Sequence, residues 1–138
     1  MQRQRNRWHG VALVLCIMGL FIGCSHGSKP PGTPTTKEDM VAAAKALHAA
    51  DVARQKIFDF LYGEFEAKRI EESVINAYHG TIEPPLRDAR AELNGVVVAM
   101  GRTPEKVTRE QVQAAIQDLA VTVNAAKQFA SKYGWKES

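Results

Sequence analysis

His48 and Asp51 stand three residues apart, a spacing that puts an imidazole and a carboxylate on one face of a helix. Such a pair suits a metal ion or a proton relay, but a metal needs further ligands and no second pair accompanies it. Di-iron bundles draw their ligands from Glu-x-x-His, and here Lys45 and Asn76 fill the glutamate places before His48 and His79. His-Glu-x-x-His, Cys-x-x-Cys, Gly-x-Ser-x-Gly, the phosphate loop and the dinucleotide fingerprint are all absent. Glu64, Glu66, Glu71 and Glu72 surround Lys68 and Arg69, a mixture that marks a solvated helix face with i,i+4 pairs. The expectation is a chain without catalytic residues, bound metal or cofactor.

Aromatic residues offer a different kind of chemistry, that of recognition. Phe58, Phe60, Tyr62 and Phe65 crowd into less than three turns, together with Ile57 and Leu61. One helix cannot turn all of them to a single face. They read either as a thick core between several helices or as an exposed patch for a partner. Trp135 carries the same two readings, as a capping contact or an exposed anchor. Phe58, Phe60, Tyr62, Phe65 and Trp135 are therefore the candidate interaction residues.

The two cysteines, Cys16 and Cys24, belong to a distinct N-terminal segment. Arg3, Arg5 and Arg7 precede an uncharged run, Val-Ala-Leu-Val-Leu-Cys-Ile-Met-Gly-Leu-Phe-Ile, at residues 11–22. That run is shorter than the roughly 20 apolar residues of a spanning helix. Its length and basic flank are those of a signal peptide, with the arginines on the cytoplasmic side and the remainder exported. The run closes on Leu20-Phe21-Ile22-Gly23-Cys24. This resembles the lipobox of bacterial lipoproteins, in which apolar residues and one small residue precede a cysteine. Phe21 stands where leucine is commonest, a place that tolerates bulky apolar residues.

The resemblance covers residues 1–24 and implies a role for each position. Leu20, Phe21, Ile22 and Gly23 would be read by a dedicated signal peptidase, and the Cys24 thiol would receive a diacylglycerol before cleavage. Acylation of the new amino group would add to an anchor that binds by roughly 0.8 kcal/mol per buried methylene. Ser25 after the cysteine implies, if the source is Gram-negative, an outer-membrane location facing the periplasm. An uncleaved membrane helix and a plain signal peptide cut elsewhere are the alternatives.

Removing the signal also changes the charge. The whole chain has 18 basic and 15 acidic residues, but residues 1–23 hold three arginines and no acid, leaving 15 of each from Cys24 on. A balanced chain lacks the concentrated positive surface of a nucleic-acid binder. One cysteine remains, so no internal disulfide is available and packing alone must hold the domain.

Three segments are expected: a signal peptide at 1–23, a lipidated cysteine with a Pro/Gly/Ser/Thr tether at 24–36, and a helical domain at 37–138. In the tether, Pro30, Pro31 and Pro34 stiffen a stretch with nothing to bury. The domain pattern is helical throughout. Thr35 or Thr36, with Glu38 or Asp39, predicts a capping box. Met40, Ala43, Leu47, Ala50, Ile57 and Leu61 follow at helical spacing. Gly63 is a candidate break, and the pattern resumes through Phe65, Ile70, Val74 and Tyr78 to a stop at Gly80. Pro84 and Pro85 open a helix with Leu86, Leu93, Val97 and Met100 on its stripe, ending at Gly101. Within it, Gly95 either weakens the helix or admits another backbone.

Thr108 with Gln111 predicts a second capping box. Val112, Ile116, Leu119, Val123, Ala126 and Tyr133 then recur, with Phe129 or Ala130 completing the series and Gly134 stopping it. No segment alternates as strands do. The fold class predicted is all-α, a small antiparallel bundle of three helices, or four if Gly63 breaks the first. The function expected is that of a membrane-anchored, non-enzymatic module that presents a helix face to an envelope protein. The alternative is a lipid-tethered carrier or sensor that holds an apolar small molecule between its helices.

Overall fold

The computed structural model describes residues 32–137. Cys24, the lipobox residues Leu20, Phe21, Ile22 and Gly23, and the tether up to residue 31 lie outside the described residues. Those that are described form an all-α bundle with no strand among them.

Helix α1, Lys37–Glu66, starts where Thr36 adopts an extended backbone. The Asp39 N–H donates to the Thr36 hydroxyl (3.4 Å), and the Thr36 N–H donates back to Asp39 Oδ2 (2.8 Å), the reciprocal box predicted from the sequence. Ala43, Ala50, Ile57 and Leu61 are buried, Leu47 is half-buried, and Met40 at the open end of the stripe is exposed. Gly63 neither breaks nor ends this helix. The stop comes at Lys68, whose φ of 58° is the left-handed conformation usually given to glycine. There the Lys68 N–H donates to the Phe65 carbonyl (2.9 Å) and the Arg69 N–H to that of Glu64 (2.9 Å), a Schellman arrangement built on a lysine. The Arg69 guanidinium then clamps the Glu64 carboxylate through two bonds of 2.6 and 2.7 Å.

Helix α2, Glu72–Ala77, passes through a π-helical turn, Tyr78–Ile82, directly into helix α3, Glu83–Arg102. The expected stop at Gly80 is therefore replaced by a widened turn. The reason lies in Pro84 and Pro85, which lack N–H groups and whose rings clash with carbonyls four residues back. In the wide turn the Glu83 N–H reaches back five residues to the Tyr78 carbonyl, so the chain stays helical while making room for the rings. Leu86, Ala89, Leu93 and Met100 form the buried stripe of α3. The helix ends just past Gly101, at Thr103, whose ψ of 64° leaves the helical region ahead of Pro104.

Gly95 lies mid-helix on the exposed side, and a Cβ built there meets nothing within 4 Å. It admits no neighbouring backbone, so it only weakens the helix. Gly95→Ala is expected to raise stability by about 0.5–1 kcal/mol, read as a higher urea midpoint at unchanged slope.

A short 3₁₀ turn, Pro104–Lys106, leads to helix α4, Arg109–Ser131. Its start is the second predicted box, with Thr108 N–H to Gln111 Oε1 at 2.9 Å and Gln111 N–H to Thr108 Oγ1 at 3.3 Å. Val112, Ala115, Leu119, Ala126 and Ala130 are buried, so Ala130 rather than Phe129 completes the innermost row. Gly134, at φ 100°, stops the helix, with the Trp135 N–H donating to the Ala130 carbonyl and the Gly134 N–H to that of Ser131.

Inter-helix pairs fix the directions. Arg54 with Glu83 and Asp51 with Arg90 run in opposite senses along α1 and α3, so these two helices are antiparallel. Helix α4 returns antiparallel to α3 and begins beside the start of α1, where Arg109 Nε donates to Asp39 Oδ2 at 3.1 Å. The result is an up-down-up bundle with the short α2 leading into its second leg.

The expected tether runs to Thr36, and its last residues are fastened to the bundle. Thr33 accepts from the Arg109 N–H (2.9 Å) and donates to Glu110 Oε2 (3.2 Å), while Pro34 and Thr108 form an isolated antiparallel bridge. Gly32 fits because it has no side chain: a Cβ there would stand 2.3 Å from the Thr108 methyl carbon.

Candidate functional site

Alanine spacing shapes the side of the bundle where α1 and α4 run together. Ala46 and Ala49 on α1 face Ile116, Ala120 and Val123 on α4, and their small side chains leave an apolar groove of about 230 Å³. The groove continues past Ala49, Val123 and Lys127 into a second hollow of about 350 Å³, lined by Val52, Ala53 and Lys56 of α1. Trp135 closes that end, half-buried, its place set by the Gly134 turn. Val52 is exposed within this surface, and His48, Lys56 and Lys127 stand around it, Lys127 paired with Glu137. The arrangement is an apolar trough with a mainly basic edge, suited to a helix laid along it.

The five candidate interaction residues fall in different neighbourhoods. Phe58, Phe60 and Tyr62 are half-buried against the core, whereas Phe65 is 36% exposed near the end of α1. Phe58 and Tyr62 stack with ring centroids 4.3 Å apart, and both approach the His79 ring. Trp135 sits instead in the α1–α4 groove.

The candidate relay of His48 and Asp51 is not assembled. His48 is exposed at the groove edge, and both Asp51 oxygens accept from Arg90, at 2.5 and 2.9 Å. That hydrogen-bonded guanidinium, and then its charge, holds the Asp51 carboxyl below its ordinary pKa. No cluster of three metal-ligating side chains occurs among the described residues.

A polar chain that the sequence did not suggest lies around the π-helical turn. His79 Nδ1 lies 2.5 Å from Glu83 Oε2, and Glu83 Oε1 accepts from Arg54. His79 Nε2 is 3.4 Å from the Tyr62 hydroxyl. Arg54 first, and His79 second, hold the Glu83 carboxyl below its ordinary pKa. The carboxylate thus orients the imidazole, while the hydroxyl at its far side sits at the limit of hydrogen bonding. The signal for this chain was the four-residue step from His79 to Glu83, hidden because Gly80 read as a helix stop.

Tyr78 is the largest fully buried side chain, packed against Phe129 and His79, and its hydroxyl has no hydrogen-bond partner. Burial, then the nearby Glu83 charge, pushes its pKa up. An unsatisfied buried hydroxyl costs about 1–3 kcal/mol, so Tyr78→Phe is expected to leave the fold intact and stabilise it by about 1 kcal/mol. A loss of similar size in urea unfolding would mean that the hydroxyl is bonded.

No helix among the described residues is long and apolar enough to cross a membrane. Compared with protein-family models, curated proteins and solved structures, the chain matches none.

Proposed function

We propose that this chain is a lipid-anchored bacterial envelope protein whose bundle works as a non-enzymatic interaction module. The observation that carries the reading is the α1–α4 groove, with its alanine floor, exposed Val52, basic edge and terminal Trp135. An amphipathic helix of an envelope partner would lay its apolar face along the alanines and end against Trp135. Small floor residues let the two backbones approach closely, and an indole at one end is the kind of anchor on which interface energy concentrates. An acidic residue flanking that helix would meet Lys56, and a second would compete with Glu137 for Lys127.

The anchor reading rests on the lipobox resemblance at Leu20, Phe21, Ile22, Gly23 and Cys24. The interior speaks for a binding face rather than for a carrier. Tyr78, Ile57, Leu61, Leu93, Leu119 and Val112 occupy the space between the helices, so the room for a partner is on the surface.

The test fills the groove. Ala49 and Ala120 are exposed, so Ala49→Arg with Ala120→Arg places bulk and charge in the trough without disturbing the core. The expected outcome is at least a tenfold loss of the partner co-purified from detergent-solubilised envelope, with the helical circular-dichroism signal unchanged. Undiminished co-purification would overturn the groove as the docking face.

A further inference from the structure

A second hollow, of about 390 Å³, opens on another seam, between α1 and α3. Ala50 and Leu86 make its apolar floor, and Arg54, Arg87, Arg90 and Asp51 bring charge to its walls beside the Gln55 amide. Three of the four charged groups are guanidinium ions. How their donors are used decides what the hollow offers.

The two carboxylates that tie α1 to α3, Asp51 and Glu83, are each committed through both oxygens. Asp51 accepts twice from Arg90, and Glu83 accepts from Arg54 and faces His79. The guanidinium groups are not used up. Each has five N–H donors; Arg90 directs Nε and Nη2 at Asp51, and Arg54 directs Nη2 at Glu83. Arg87 pairs only with its neighbour Asp88, at 3.6 Å, and is 72% exposed. The two inter-helix pairs hold Arg54 and Arg90 in place from opposite helices, and their remaining donors are left for a third group.

We propose that this hollow binds a phosphoryl group, with Arg54, Arg87 and Arg90 as its donors. Guanidinium forks match the oxygens of phosphate, and two of these three are already ordered by their partners, so less freedom is lost on binding. The apolar floor takes the carbon skeleton of a phosphate ester, and the Gln55 amide, whose nitrogen already donates to Asp59 Oδ1 (2.8 Å), keeps its oxygen to accept from the ester's hydroxyls. A soluble phosphate monoester and the phosphodiester of a lipid headgroup share this chemistry. The proposal is independent of the α1–α4 groove, and either can fail alone.

The test uses the full chain in detergent and measures Tm against three probes at matched ionic strength. The probes are glycerol 3-phosphate as the monoester, glycerophosphoglycerol as the diester, and chloride. A ligand at ten times its Kd raises Tm by roughly 5 °C in a domain of this size. A rise with the monoester that Arg87→Gln removes supports the proposal with a soluble source, and one with the diester supports it with a headgroup source. Arg87 makes no inter-helix pair, so Arg87→Gln keeps the unliganded Tm within a degree or so. Arg54→Gln, referred to its own unliganded Tm, should remove the response as well. No rise beyond chloride, or a rise that survives both substitutions, overturns the proposal.

Discussion

Leu93→Ala is expected to destabilise the bundle by about 2–5 kcal/mol, enough to leave a domain of ordinary stability largely unfolded on mild heating. Leu93 is fully buried on α3, the helix that packs against both α1 and α4. The cost is set by the company it keeps. Six of the sixteen buried apolar residues among those described are alanines, at 43, 50, 89, 115, 126 and 130. They allow close approach but bury little area, so the hydrophobic stabilisation falls on a few large side chains. Backbones already drawn together by alanine cannot close further around a missing leucine, which places the cost toward the upper part of the range. Val98, on the same helix but 44% exposed, is the control, and Val98→Ala should stay within about 0.5 kcal/mol. Urea unfolding of the two variants measures the contrast; equal effects would mean that Leu93 is not a packing centre of the bundle.

Local signals in the sequence carried most of the fold. The boxes at Thr36/Asp39 and Thr108/Gln111, and the stop at Gly134, depend on neighbouring residues alone, and the structure has them where the residue types put them. Apolar spacing located the inner faces of α1, α3 and α4. The breaks were harder. Gly63 and Gly80 carry the residue type of a stop, yet the chain turns at Lys68 and stays helical through residue 80. A lysine in the left-handed conformation leaves no mark in composition. A widened turn answers two prolines several residues downstream, and the effect runs backward along the chain.

The polar sites were less legible for a related reason. Asp51 stands within reach of His48 in sequence, but Arg90, 39 residues away, takes both its oxygens. The hollow between α1 and α3 likewise exists only because antiparallel packing brings Arg54 beside Arg87 and Arg90. Trp135 could be singled out from the sequence, but not the groove it closes, because alanines that line a trough and alanines that seal a core have the same spacing.

Cys24→Ala is expected to abolish incorporation of a palmitate precursor entirely and to leave residues 1–23 attached. Under the lipoprotein reading, diacylglycerol transfer to the Cys24 thiol precedes cleavage, so alanine blocks both steps at once. The loss is all-or-none because no other group replaces the thiol. Cys16, eight residues earlier within the apolar run, is the internal control, and Cys16→Ala should label like the natural chain. Two or more acyl chains, at roughly 0.8 kcal/mol per buried methylene, hold a protein stably where one chain does so only marginally. Under that reading the bundle would need no apolar face of its own for the bilayer, which would leave the α1–α4 groove for a protein. Seven residues, 25–31, lie between Cys24 and Gly32, so the eight steps of chain between the two reach at most roughly 29 Å. Fluorography for the label and intact mass for the N-terminus decide the matter together. Label on Cys24→Ala, or none on the natural chain, would sink the anchor and with it the case for an envelope partner.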